Sequence, residues 1–264
     1  MKLTFQLADP AGNLTLLVRT PVPREQYQDL AGRLLAIREL KAQQVGFLVP
    51  PQGPGCIRLE MMGGEFCGNA LRSAGLFYAA DQGIRRARKF PVEISGCDEP
   101  LTVQVNPLTS QVTAEMPIPR EIVKHDLFGT PARVVRLPGI VHAVSQKREE
   151  VGEEEVRETL KELAAAFDSP AAGVMFWQSR AGTMRPAVYV RDTDSLYFES
   201  SCASGSTAVA ACHALGAGRD GVHKLDLRQP GGTIQTTAAV RSGRLESITI
   251  GGTVTLGPVY EVEF

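Results

Sequence analysis

The chain has 264 residues, enough for one large domain or two smaller ones with separate cores. Its 28 Lys and Arg balance 29 Asp and Glu, for a formal net charge of -1. Nothing in that balance calls for nucleic acid or an anionic membrane surface, and a small molecule is the expected partner.

The opening Met1-Lys2-Leu3-Thr4-Phe5-Gln6 turns polar at once, and no later stretch approaches a membrane-spanning apolar run, so a soluble cytoplasmic chain is expected. Leu3–Leu7, the turn Asp9-Pro10-Ala11-Gly12-Asn13 and Leu14–Val18 read as strand, turn and strand. From Pro23 to Leu40 the apolar positions Tyr27, Leu30, Leu34, Leu35 and Ile37 predict a helix, with Pro23 at its first position. Val45–Val49 and Ile57–Met61 are short strands. The second leads into Gly63-Gly64-Glu65-Phe66-Cys67-Gly68-Asn69-Ala70-Leu71-Arg72-Ser73, where a helical pattern begins that runs to Ala80. Arg85 to Lys89 reads as a solvated loop, and Val92–Ile94, Leu101–Val105 and Gln111–Met116 as strands.

The second half replays this order. Arg133–Leu137, a Pro138-Gly139 turn and Val141–Val144 form a hairpin; Glu153–Phe167 is a helix; Val174–Trp177, Ala187–Val190 and Ser195–Phe198 are strands. These lead into Glu199-Ser200-Ser201-Cys202-Ala203-Ser204-Gly205-Ser206-Thr207 and a helix to about Ala214. Leu225–Leu227 and hairpins at Pro230-Gly231-Gly232 and Ser242-Gly243 follow. Order and spacing match from Asn13 to Cys67 and from His142 to Cys202, which predicts two related domains. They are expected over 1–118 and 119–256, divided near Pro117-Ile118-Pro119, with the first recruiting the last strand, 257–264.

Five cysteines are an odd number without a CxxC pair, and the four histidines lack metal-ligand spacing. No disulfide framework and no metal are expected. Cys56, Cys97 and Cys212 read as packing residues. Cys67 and Cys202 stand apart because each lies between small residues at a helix start, where a thiol ionises more readily and free N–H groups can receive a carboxylate. Each lacks a histidine base in its motif, and the counterpart of each is the other. Two acid/base thiols on opposite faces of one carbon would remove a proton from one side and return one to the other, inverting a stereocentre. No lysine setting suggests a pyridoxal phosphate Schiff base, so no cofactor is expected.

Asn13 after its turn, Glu65-Phe66-Cys67-Gly68-Asn69-Ala70, Val141-His142 and Cys202-Ala203-Ser204-Gly205-Ser206 resemble the signature sites of the diaminopimelate epimerase family, over essentially the whole chain. The resemblance implies an α/β (α+β) fold of two pseudo-symmetric domains, each a curled, mostly antiparallel sheet around a central helix. It also implies a pyridoxal-independent mechanism with Cys67 and Cys202 as the acid/base pair. Gly68, Asn69, Ser204, Gly205 and Ser206 would bind the α-carboxylate, Asn13 and His142 would line the site, and Glu199 would orient the site or the substrate amine. A homodimer is the assembly the resemblance allows.

One departure bears on the substrate. The epimerases carry an arginine after an acidic residue ahead of the second cysteine, and it holds a distal carboxylate; here Glu199 is followed by Ser200-Ser201-Cys202. An unpaired second carboxylate would be costly, so diaminopimelate is disfavoured. Val45-Gly46-Phe47, Ile94-Ser95-Gly96-Cys97 and Gln229-Pro230-Gly231-Gly232 are instead similar to the histidine racemase subgroup of staphylopine-type metallophore synthesis. Histidine racemisation is the leading expectation. Diaminopimelate epimerisation and non-catalytic amino-acid binding are the alternatives.

Overall fold

The computed structural model describes residues 1–147 and 151–264. In chain order the elements are β1 (Lys2–Asp9), β2 (Thr15–Val18), α1 (Tyr27–Leu35), β3 (Gln44–Val49), β4 (Arg58–Met61), α2 (Gly68–Asp81), β5 (Arg88–Ile94), β6 (Leu101–Asn106), β7 (Gln111–Met116), β8 (Glu121–Leu127) and β9 (Thr130–Leu137). They continue with β10 (Ile140–Ser145), α3 (Glu153–Ala166), β11 (Ala171–Gln178), β12 (Thr183–Val190), β13 (Ser195–Phe198), α4 (Ala203–Gly216), β14 (Gly221–Gln229), β15 (Gly232–Arg241), β16 (Arg244–Thr253) and β17 (Thr255–Glu263). The chain divides into two compact units, Met1–Glu115 with Gly251–Phe264, and Met116–Ile250.

In the first unit β1 pairs antiparallel with both β2 and β17. Strand β2 runs parallel to β3, β3 antiparallel to β4, and β4 parallel to β5. Strands β5, β6 and β7 continue antiparallel. The second unit repeats the scheme: β9 is antiparallel to β10, β10 parallel to β11, and β11 antiparallel to β12. In each unit a helix fills the parallel crossover, as such a connection requires.

The two helices of a unit differ because their surroundings differ. Crossover helices α1 and α3 are amphipathic, burying Tyr27, Leu30, Ala31 and Leu34, and Val156, Leu160, Leu163 and Ala164. Those faces close the clusters around Phe5, Phe47 and Val18, and around Val134, Ala143 and Val174. Helices α2 and α4 are instead buried on nearly every side: Gly68 through Phe77 and Ala79 in one, and Ala203, Gly205 through Cys212 and Ala214 in the other. Such burial demands small residues. At Gly75 a Cβ would lie 2.5 Å from Val103 Cγ1 on β6, so the helix could not seat there with alanine.

Several elements depart from their sequence patterns. The expected Pro23–Leu40 helix is broken into a 3-10 turn at 24–26, α1, and a second 3-10 turn at 38–40. Ile37 has ψ 88° and Lys41 φ 50°, neither of which an α-helix accommodates. Pro23 is therefore the cap of a 3-10 turn. Strand β5 begins at Arg88, so the end of the basic run is strand, with Arg88 and Lys89 exposed. Strand β8 has no clear alternation, since Glu121, Lys124, His125 and Asp126 are all exposed, and its pairing with β9 defines it.

Candidate active site

Each central helix begins with a cysteine held in the same way. Cys67 has φ -133° and ψ 110°, and its Sγ accepts the Ala70 N–H at 3.5 Å. Cys202 has φ -124° and ψ 113°, and its Sγ accepts the Gly205 N–H at 3.3 Å. Both are extended cap residues with sulfur in the place of an N-cap oxygen. The helix macrodipole favours negative charge at both positions, on the sulfur or on a bound carboxylate.

The surroundings of Cys67 are amides and a cation. The loop before it is pinned by Ser95, whose Oγ donates to the Glu65 carbonyl at 2.8 Å and accepts the Met61 N–H at 2.9 Å. Burial raises the Glu65 carboxyl above the ordinary range, while N–H groups of Glu65 itself and of Gly63 oppose that shift. Asn13 is delivered by the turn after β1, in which Ala11 and Gly12 take φ 71° and 79° and the Gly12 N–H reaches Asp9 Oδ1. Its Oδ1 accepts from Gln44 Nε2 at 2.7 Å and from Asn69 Nδ2 at 3.4 Å, and its Nδ2 donates to Gln43 Oε1 at 3.0 Å. Asn13 and Asn69 thus belong to one buried amide network beside Gly68. Arg72 lies behind it, fully buried, with Nη2 donating to Asn69 Oδ1 at 2.8 Å and to the Pro10 carbonyl at 3.2 Å.

The surroundings of Cys202 are hydroxyls, an imidazole and a carboxyl. Ser204 Oγ lies 3.5 Å from Cys202 Sγ and 2.8 Å from His142 Nε2. His142 is fully buried, and that burial pushes its pKa down to about 3, so the ring is neutral near pH 7. His142 therefore reaches Cys202 through Ser204. Ser206 Oγ donates to the Cys202 carbonyl at 2.7 Å and accepts from Gln229 Nε2 at 2.9 Å, while Gln229 Oε1 accepts the Cys202 N–H at 2.8 Å. Gly205 sits so close that a Cβ would lie 2.0 Å from Met175 Sδ and 3.1 Å from Cys202 Sγ.

Glu199 follows β13 directly, ahead of Cys202, and hydrogen-bonds its thiol. The residue is half-buried, but its Oε2 is fully buried and unpaired among the described residues. Burial raises its carboxyl to about 7, against a smaller opposing effect of the Cys202 bond. Burial, then the nearby Glu199 charge, raise the Cys202 thiol well above its ordinary value. Cys202 is set to hold a proton. Beside it opens a cavity of about 290 Å³, lined by Arg185, Pro186, Phe198, Glu199, Ser200 and Pro230.

The structure brings Asn13, Cys67, Gly68 and Asn69 together in the first unit, and His142, Glu199, Cys202, Ser204, Gly205 and Ser206 together in the second. Gln44, Arg72 and Gln229 were not singled out by the motifs. Gln229 carried a signal in the phrase Gln229-Pro230-Gly231-Gly232, whose turn is tied back by the Gly231 N–H donating to the Ser200 carbonyl at 2.7 Å. Cys212 packs in the core, where burial pushes its thiol up to about 12, and Cys97 is raised to about 11, first by burial and then by Asp98. Among the described residues no three His, Cys, Asp or Glu come together as a metal site, and no helix is long and apolar enough to cross a membrane.

Residues 2–259 match the family model described as the histidine racemase CntK N-terminal domain. A histidine racemase of Fusobacterium nucleatum subsp. nucleatum is 32% identical over 215 residues, covering 78% of this chain and 80% of that one. Among solved structures, a phenazine biosynthesis protein of the PhzF family from Bacillus anthracis superposes with a TM-score of 0.68 at 15% identity, covering all of both chains. A hydroxyproline epimerase from Agrobacterium vitis, solved with bound trans-4-hydroxy-L-proline, gives a TM-score of 0.66 at 12% identity, covering 99% of this chain and 91% of that one.

Proposed function

Because this chain belongs to the histidine racemase CntK N-terminal domain family, and is accordingly an isomerase of the racemase and epimerase class, we propose that it interconverts L- and D-histidine by a two-cysteine, pyridoxal-independent mechanism. One observation carries the reading: both units place a cysteine at a central helix start with nearly the same backbone angles and the same Sγ to N–H contact. A single nucleophile would need only one such device.

In the proposed reaction the α-carbon sits between the two sulfurs. One thiolate takes the α-proton and becomes a thiol; the electron pair left behind spreads onto the substrate carboxylate. The other thiol then gives its proton to the opposite face and becomes a thiolate, so proton and charge balance are kept while the configuration inverts. Backbone N–H groups at the two helix starts, with Ser204, Ser206 and the Asn13–Asn69 amides, would bind the carboxylate as its negative charge grows. The cavity beside Glu199 would take the imidazole side chain, with Phe198 as an apolar wall and Glu199 as hydrogen-bond partner. D-histidine made this way would serve as a metallophore precursor in the cytoplasm, and the enzyme would work as a homodimer.

A second reading has its own support. Arg185 lines the same cavity as Glu199, so a guanidinium stands at that wall although no arginine follows Glu199 in sequence. An enzyme using Arg185 for a distal carboxylate would prefer diaminopimelate. A chiral assay with L-histidine and with LL- and meso-diaminopimelate separates the two. We expect histidine to racemise at the higher kcat/KM; faster turnover of diaminopimelate would overturn the substrate assignment, and binding without inversion of either would overturn the enzyme mechanism.

A further inference from the structure

Arg72 is a large, fully buried side chain that the amide network satisfies only in part. Only its Nη2 is satisfied, by Asn69 Oδ1 and the Pro10 carbonyl; Nε and Nη1 make no hydrogen bond among the described residues. A neutral amide would serve if the position needed only a donor to Asn69. A buried guanidinium without a carboxylate partner is instead an expensive group to retain, and arginine does not escape by giving up its proton near neutral pH. Something anionic at the start of its helix would offset that cost.

Among the described residues no carboxylate hydrogen-bonds Arg72, and Asp9, next to Pro10, accepts the Gly12 N–H instead. Glu60, on β4, is paired with Arg58 at 2.5 Å. Glu65, in the loop before the helix, accepts the Gly63 N–H at 2.9 Å. Arg24, from the 3-10 turn before α1, approaches Gly64, with Nη2 3.5 Å from where a Cβ would stand, and adds positive charge. The ionisable group on which the Arg72 charge acts is the Cys67 thiol at the cap of its own helix. Burial lowers Arg72 to about 10, and Cys67 opposes that shift, so Arg72 remains a cation at neutral pH.

We infer that Arg72 is a positioning residue for the first cysteine: it holds the Asn69 amide in one orientation and supplies the buried positive charge that keeps Cys67 a thiolate in the resting enzyme. The second unit instead places Glu199 against Cys202, so Cys202 keeps its proton. The resting enzyme thus begins with Cys67 as base and Cys202 as acid, and the substrate enantiomer whose α-hydrogen faces Cys67 reacts without a prior proton shift. This inference rests on the racemase reading, in which a Cys67 thiolate is the base.

The test is the pH profile of Cys67 alkylation by iodoacetamide, read by peptide mass spectrometry in wild type, Arg72→Met and Arg72→Lys, with thiolate absorbance at 240 nm alongside. Arg72→Met should move the acid limb of the profile up by about one pH unit, which is about tenfold slower alkylation on that limb, and Arg72→Lys should restore most of it. At pH 7, wild type should absorb more at 240 nm than Cys67→Ser and no more than Cys202→Ser. Equal absorbance of wild type and Cys67→Ser would overturn the inference whether or not the Arg72 variants fold. An unmoved profile in folded Arg72→Met would overturn it too and leave the racemase reading standing. Racemisation that survives full Cys67 alkylation would instead strike at the two-cysteine mechanism on which the inference rests.

Discussion

The two helix starts share a backbone and differ in everything around it. At Cys67 the neighbours are amides backed by the buried Arg72; at Cys202 they are Ser204, Ser206, a neutral His142 and a half-buried Glu199. The common part gives each sulfur the same helix-end field, and in the proposed mechanism it is the difference in side chains that sets which sulfur is charged. A duplicated fold with unequal surroundings can hold one proton between two equivalent positions and still have a defined resting state.

The largest expected effect comes from removing either member of the pair. Cys67→Ser and Cys202→Ser should each reduce histidine racemisation by about 10³-fold or more, since a serine hydroxyl is a far weaker acid and is not ionised near neutral pH to act as base. Comparable loss in both variants supports paired roles, and a variant that keeps wild-type turnover would break the comparison. Next comes Glu199→Gln, which removes the charge beside Cys202 and keeps the size. A fall in kcat of about 10–100-fold is expected, with the pH dependence of the rate flattened near 7, where the Glu199 carboxyl titrates. An unchanged profile would remove Glu199 from the account.

Gly205→Ala should cost about 1–3 kcal/mol in urea denaturation, because its Cβ collides with Met175 Sδ on β11 and the fully buried methionine must repack to make room. The smaller effects concern stability against pH. The folded state depresses His142 from its ordinary value to about 3, so the His142 contribution to stability is present at neutral pH and is lost as pH falls from about 6.5 toward 3. Glu199 works in the other direction: its folded pKa is raised from 4.5 to about 7, so stability declines as pH rises through that interval. The two slopes oppose one another between about pH 4.5 and 6.5. His142→Asn should leave stability falling with rising pH there, and Glu199→Gln should leave it rising, each by about 1–2 kcal/mol across the window. Parallel curves for wild type and both variants would contradict the assigned protonation states.

Most of the architecture could be read from local pattern. The replayed order of hairpin, helix, strand and cysteine-led helix is explicit in the sequence, and so are both cysteine positions, because small residues between an extended run and a helix have few other uses. Strand β8 was not legible: its Glu121, Lys124, His125 and Asp126 are exposed, so it shows no apolar alternation, and only its hairpin pairing with β9 defines it. The break after α1 was hidden for a related reason, since Leu35 and Ile37 keep helical spacing while the backbone turns away. The supporting residues of the site were the least visible. Arg72 reads as an ordinary helix former until its burial is known, and Gln229 reads as part of a turn until both ends of its amide are seen to clamp Cys202 and Ser206.

The central claim is that two thiols act on opposite faces of one α-carbon, and the isotope content of product at early conversion tests it most directly. In heavy water, wild-type enzyme given protiated L-histidine should form D-histidine carrying solvent deuterium at the α-carbon, while unreacted L-histidine stays protiated, and the reverse reaction from D-histidine should mirror this. D-histidine that retains the original proton would mean that a single group carries it from one face to the other, and would contradict the two-thiol account.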